Sequence, residues 1–297
     1  MQKPAALAGA VIAVGLVLAS SAALAGSAVD GFVALDVGGS RLDYSVPSDP
    51  GLAALVNSIE FGGMASGAYN FTPRLGIQGD VVVRRVSWSN DQNPGLEIDD
   101  VAVDGAGHLF YRDGRFLLGA MGQVGEDSFT WDASYVYRVD TVLGGIEGQL
   151  FFGNATLYGQ AGISRFSDYG GYEDGWFGTL EARYFLTPDF KVDGHGGIET
   201  LSTSGSNKGF YGFNTTLTIL DAGVGAEYRV PDTRFSLFAK YDHYRTTSNT
   251  GNASLDDDRI LVGARLNFDS RTLLERDRSG ASLKSFESHG LDSIGVP

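Results

Sequence analysis

The sequence predicts an all-β protein, a closed antiparallel transmembrane barrel of about twelve strands. Three observations point there. About a dozen stretches alternate apolar and polar residues at period two, as a strand does when it sends successive side chains to opposite faces. Formal charge stays on one face of each central stretch. The connections alternate between very short and long. In the 297-residue chain, 42 glycines, 18 phenylalanines and 13 tyrosines accompany these stretches, and there is no cysteine.

The first 25 residues stand apart. Met1-Gln2-Lys3 is a short basic start, an apolar small-residue run follows, and Ala23-Leu24-Ala25 has the A-x-A form of a cleavage site. Residues 1–25 are therefore expected to be a secretory signal peptide, the barrel to span 26–268, and 269–297 to form a separate tail. The net charge is −14, and −15 without Lys3, which argues against nucleic acid because phosphate binding needs a basic face. Without cysteine, disulfides, thiol catalysis and Cys-ligated zinc are excluded. Beyond the leader no apolar run reaches the ~18 residues of a membrane-spanning helix.

In chain order, the first strand is expected over Val29–Ser45, where Val33, Leu35 and Val37 alternate with Ala34, Asp36 and Gly38. A Pro-containing connection, 46–56, leads to Asn57–Phe71, with Ile59 and Phe61 opposite Glu60. After Thr72-Pro73 comes Arg74–Trp88, carrying Asp80, Arg84 and Gln78 opposite Ile77 and Val81. Val101–Tyr111 sets Asp104 and His108 against Val103 and Leu109. Arg112-Asp113-Gly114 turns into Arg115–Val124, with Arg115 and Gln123 on the polar face. Val142–Phe152 carries Glu147 and Gln149, and Gly153-Asn154 is a two-residue hairpin loop. Ala155–Phe166 carries Tyr158 and Gln160. Gly175–Leu186 carries Glu181 and Arg183, and Phe190–Thr200 carries Lys191, Asp193, His195 and Glu199. Leu217–Val230 carries Glu227 and Arg229, Arg234–Arg245 carries Lys240 and Asp242, and Arg259–Phe268 carries Arg265.

The apolar faces of these central stretches hold no Asp, Glu, Lys or Arg. A lipid-facing Arg or Lys at mid-bilayer costs about 2–4 kcal/mol, so this segregation is what a membrane wall requires. Those faces end in aromatics on the short-turn side: Phe71, Tyr111, Phe116, Phe152, Tyr184, Phe190, Tyr228, Phe235 and Phe268. Such a girdle marks a membrane interface. Backbone groups inside lipid must all be paired, which requires a closed sheet. Glycines within strands are read as relief of crowding in a tightly curved wall.

Gly263-x-x-Leu266-x-Phe268 resembles the assembly signal of the last strand in Gram-negative outer-membrane barrels. Strands, turns and loops together resemble the porin-like outer-membrane β-barrel proteins of alphaproteobacteria over about 29–268. One departure is the tail: the signal normally ends the chain, whereas 29 residues follow Phe268. A short periplasmic helix with disorder is one expectation for the tail, and a plug reaching into the lumen is another. The resemblance implies a bacterial outer membrane, contact with its lipid, and engagement of the barrel-assembly machinery through the last strand.

The expected lumen-lining set is Asp36, Glu60, Asp80, Arg84, Asp104, His108, Arg115, Glu147, Glu181, Arg183, Lys191, Asp193, His195, Glu199, Glu227, Arg229, Lys240, Asp242 and Arg265. It is a mixed field, so strong ion selectivity does not follow from it, although the acidic excess of the chain would favour cations. The leading expectation is a narrow channel for passive diffusion of small hydrophilic solutes. The alternative is a closed structural or adhesive barrel acting through its extracellular loops, with aromatics Phe129, Trp131, Tyr135 and Tyr137 in the expected loop 125–141. An outer-membrane hydrolase ranks third. His108 or His195 could serve as a base, but no Ser-centred motif accompanies either, so no enzyme is expected. Asp256-Asp257-Asp258 could attract calcium in a loop, yet such a run is usually solvated, so neither a metal nor a cofactor is expected.

Overall fold

The computed structural model describes residues 29–45, 54–89, 97–131, 135–167, 171–202, 216–249 and 254–287. The expected leader lies outside these residues. Twelve strands run β1 (Val29–Ser45), β2 (Ala54–Asn70), β3 (Leu75–Ser89), β4 (Glu97–Arg112), β5 (Phe116–Trp131) and β6 (Tyr135–Phe152), then β7 (Ala155–Ser167), β8 (Tyr172–Thr187), β9 (Phe190–Ser202), β10 (Thr216–Arg229), β11 (Phe235–Ser248) and β12 (Ser254–Phe268). Each pairs antiparallel with its sequence neighbour, and β1 pairs with β12 from Gly31–Phe268 to Ser45–Ser254, which closes the barrel. The fold class expected from the sequence is the one observed.

The wall is inside out relative to a soluble protein. Leu35, Ile59, Phe61, Leu118, Ile146, Ile163 and Val224 are exposed on its outer face, whereas Glu60, Asp80, His108, Glu147, Glu181 and Glu227 are buried inside. The outer band ends in the aromatic girdle at the short-turn end, where Phe71, Phe152, Tyr184 and Phe235 are exposed. At that end Gly153 takes φ +53° in the Gly153-Asn154 hairpin, a left-handed conformation glycine adopts without penalty.

Towards the long-loop end the alternation reverses. Val86 and Trp88 point inward while Arg85 pairs with Asp99 on the outside. Phe166 points inward while Arg165 pairs outside with Asp174 at 2.7 Å. Phe129 and Val139 turn in, and Glu126 faces Arg138 outside. Two apolar collars result, one from Leu42, Val56, Val86, Trp88 and Leu255, the other from Phe129, Val139, Phe166, Leu201, Leu217 and Ile219. Strands of 13 to 18 residues exceed the ~9–11 that a tilted strand needs to span lipid. At the long-loop end the strands carry charge outward and apolar side chains inward, the reverse of the apolar outer band.

This reversal corrects two expectations. Residues 125–141 are not a long loop: β5 runs on to Trp131, β6 begins at Tyr135, and Phe129 packs inside. Asp256, Asp257 and Asp258 lie in β12, where alternation divides them. Asp257 is buried inside, while Asp256 and Asp258 face His243 outside. The run is therefore not a carboxylate cluster.

The chain continues past β12 into a seven-residue helix, α1 (Leu273–Ser279). Thr272 caps it by accepting from the Glu275 N–H at 3.0 Å, and the Glu275 carboxylate reaches back to the Arg271 N–H at 2.6 Å. Residues 280–287 then run into the lumen.

Candidate functional site: the lumen and its resident segment

The helix is fixed across the short-turn mouth by charge. Arg276 makes a two-pronged pair with the buried Glu227, at 2.7 and 3.1 Å, and also reaches Asn267. Arg265 adds a further contact to Glu227 at 2.5 Å, and Lys191 lies 3.8 Å from it. Asp277 receives Arg183 at 2.8 Å and the Thr156 hydroxyl at 2.5 Å. Arg278 donates to the carbonyls of Gly153 and Ala155 on the rim. Partial burial there holds its guanidinium below the ordinary pKa, with Asp277 opposing.

Beyond the helix, the wall grips the backbone of the incoming segment with neutral amides. The Gln78 carboxamide accepts from the Ser282 and Leu283 N–H groups at 3.1 and 3.2 Å and donates to the Leu283 carbonyl at 2.9 Å. Gln123 accepts from the Phe286 N–H at 3.0 Å and donates to the Phe286 carbonyl at 2.9 Å. Gln149 donates to the Ser282 carbonyl and accepts from its hydroxyl. Arg183 donates to the Ser282 carbonyl, and Arg112 to the Gly280 carbonyl and the Ser282 hydroxyl.

The side chains are seated as well. Ala281 packs on Phe32, Ala34 and Ala68, and Leu283 on Phe110, Leu117 and Tyr158. Phe286 stacks on Phe177 with ring centres 4.1 Å apart, beside Met121 and Leu143. Phe177 fits because Gly162 leaves it room: a Cβ there would lie 2.7 Å from the ring edge. Lys284 pairs with Glu181 at 2.9 Å, and Glu287 comes within 4.0 Å of Lys240.

One wall network touches the segment directly. His108 is buried between two carboxylates, with Nδ1 2.8 Å from Glu147 and Nε2 3.1 Å from Asp80. Both nitrogens can donate at once only in the imidazolium form. Asp80 also accepts from Ser66, Gln78 and the tail's Ser285. A histidine held on both sides has no nitrogen left to act as a base on a serine. His195 instead faces Asp221 and Asp242 at 3.6 and 3.4 Å.

Against the segment lies a cavity of about 280 Å³, lined in part by residues 281–287 themselves. Asp36, Glu60, Arg84, Asp104, Lys191, Asp193, His195, Lys240, Arg259 and Arg265 contribute to its lining. Arg259 approaches Glu60 at 3.4 Å, and Lys191 approaches Asp193 at 3.4 Å. Of the remaining residues expected in the lumen, Asp80, His108, Glu147 and Asp242 are buried in the wall, and Glu181 and Arg183 sit against the tail. Glu227 holds the helix, and Arg229 donates to the Ser270 carbonyl near the short-turn rim. Glu199 is buried inside on β9. Arg115 differs: it lies in the turn before β5, exposed, its N–H donated to Asp113 at 2.9 Å. Its parity matches the inner face, but the strand ends one residue short of it.

Arg112 and Arg259 are absent from the expected lumen-lining set. Arg112 reads as a turn residue in the sequence, yet it is buried and lies over the Phe110 ring at 4.8 Å. The three glutamines were visible on the polar faces, but nothing in a neutral amide announces a peptide-binding role.

No family model and no curated protein sequence matches this chain. Among solved structures, the chain is similar to the translocator domain of the autotransporter NalP from Neisseria meningitidis, at 14% identity and TM-score 0.50, over 87% of this chain and 96% of that one. A Bordetella autotransporter β domain (BrkA) aligns at 13% identity and TM-score 0.46, covering 81% and 99% of the two chains. A Pseudomonas aeruginosa FadL homologue aligns at 10% and 0.43, covering 82% and 91%. Fold and wall chemistry together define an outer-membrane type of β-barrel. Its inner surface is charged at mid-height and occupied from the short-turn end by the segment that follows the last strand.

Proposed function

We propose that this chain resides in the outer membrane of a Gram-negative bacterium and passes small hydrophilic solutes, in the manner of a narrow porin. The observation that carries the reading is the lumen cavity, where charged side chains such as Asp36, Lys191, Asp193 and Lys240 stand beside apolar ones such as Phe32 and Phe238 and supply groups that can take over the hydration of a small polar solute. That lining holds both acids and bases, which supports weak selectivity, and the acidic excess of the whole chain supports a modest preference for cations. Lipid contact through the outer band, and assembly through Gly263-x-x-Leu266-x-Phe268 of β12, belong to the same proposal. No enzymatic role is part of it.

A second reading is a closed barrel acting through its outer loops, and the seated tail favours it. Recordings in a planar bilayer separate the two. Full-length protein is expected to open briefly and rarely, and a full-length chain carrying Leu283→Ala and Phe286→Ala to show longer open steps with a small reversal potential in a salt gradient. Folded barrels that are silent in both forms would end the channel reading.

A further inference from the structure

The resident segment is held in a way that suggests a ligand more than a thirteenth piece of wall. It makes no ladder with any strand, and the barrel closes through β1 and β12 without it. The backbone groups of three of its residues, Ser282, Leu283 and Phe286, are read by glutamines placed on β3, β5 and β6. Gln123 takes both the N–H and the C=O of one residue, the same pair of groups that a neighbouring strand would take. This recognition depends on an extended backbone and not on the identity of the residue. Identity is read separately, by an apolar seat for Leu283, an aromatic seat for Phe286 three residues on, and Glu181 for the Lys284 between them.

We infer that the lumen is a peptide-binding site, occupied in the resting state by the chain's own residues 280–287. Its ligand class is an extended peptide with two apolar side chains three apart and a cation between them, entering from the short-turn end. The contacts have the make-up of a reversible complex. Neutral carboxamides are rehydrated at little cost when a segment leaves, and Glu181 and Arg183, which also bond the segment, keep each other at 3.1 Å. Departure uncovers Gln78, Gln123 and Gln149, and re-entry restores them. For the channel reading this deepens the same lumen into one gated by a peptide, and that part rests on the reading. The binding itself does not.

The test is fluorescence anisotropy in detergent, with a labelled synthetic peptide, Gly-Ala-Ser-Leu-Lys-Ser-Phe-Glu, and full-length protein. In wild type the site is filled, and the peptide should bind weakly. In full-length protein carrying Leu283→Ala and Phe286→Ala, the resident is loosened and the peptide should bind at least tenfold more tightly. Adding Gln123→Ala to that background removes two hydrogen bonds and should weaken binding roughly tenfold. A peptide with alanine at its Leu and Phe positions should not compete. Heat-dependent gel mobility confirms that each barrel is closed, and Phe286→Ala alone serves if the double variant does not close. Equal binding to wild type and loosened protein, no binding to either, or indifference to Gln123→Ala would each overturn the inference. Since no conductance enters this assay, a silent barrel that binds the peptide refutes only the channel reading.

Discussion

Phe286→Ala tests whether the resident segment is held by its side chains or only by its backbone. The ring is buried, stacked on Phe177 at 4.1 Å and packed by Met121 and Leu143. Truncating a buried Phe to Ala in a core costs about 3–5 kcal/mol, of which offset stacking accounts for about 0.5–1.5. Water can enter from the cavity above, so the lower end applies, about 3 kcal/mol, which is roughly a hundredfold in the seating equilibrium. The assay is amide hydrogen exchange. The Phe286 N–H, protected by Gln123, should exchange about a hundredfold faster, and the Leu283 N–H, protected by Gln78, should change less because Leu283 keeps its own seat. Strand amides such as that of Leu143 should not move. Unchanged exchange at Phe286, or an equal loss of protection in the strands, would refute the reasoning.

Other substitutions probe the wall and the latch. Ile146→Arg places a charge where the side chain is 70% exposed on the lipid face, and should destabilise the barrel by about 2–4 kcal/mol in urea titrations in lipid vesicles. Arg138→Ala, further along the same strand, removes one half of an exposed pair with Glu126 and should cost no more than about 1 kcal/mol in the same titration. His108→Leu leaves Asp80 and Glu147 buried without the group between them, and an equilibrium unfolding shift of about 3–5 kcal/mol is expected. Arg276→Ala strips Glu227 of its two-pronged partner from the helix, and limited proteolysis should then cut within 271–280 while the strands stay intact.

The barrel was legible wherever one periodicity governed one face. β1 runs Val29–Ser45 as expected, and the turns at Thr72-Pro73 and Gly153-Asn154 lie where the chain chemistry puts them. Legibility failed where the solvent changes. An apolar-out rule stops applying once a strand leaves the lipid, so Phe129 and Val139 read as loop, and Trp88 as a strand end with no face assigned, when they are the inward face of a reversed pattern. The site was half visible. Charges such as Glu227 and Arg183 stood on the inner face, but their partners Arg276 and Asp277 come from a tail that has no periodicity to place it. Two open placements of that tail, outside the mouth or within the lumen, could be told apart only by contacts between residues far separated in the chain.

That separation sets an order of events. Ala281 bonds to Asp30 across 251 positions, and Phe286 to Gln123 across 163. The seat for residues 280–287 draws on β1, β3, β5, β6 and β8, so it does not exist until those strands have met. Contacts of such long range form late, because the chain between them must first be brought together. A lumen filled by residues that follow the last strand can be filled only after the strands that seat them have met.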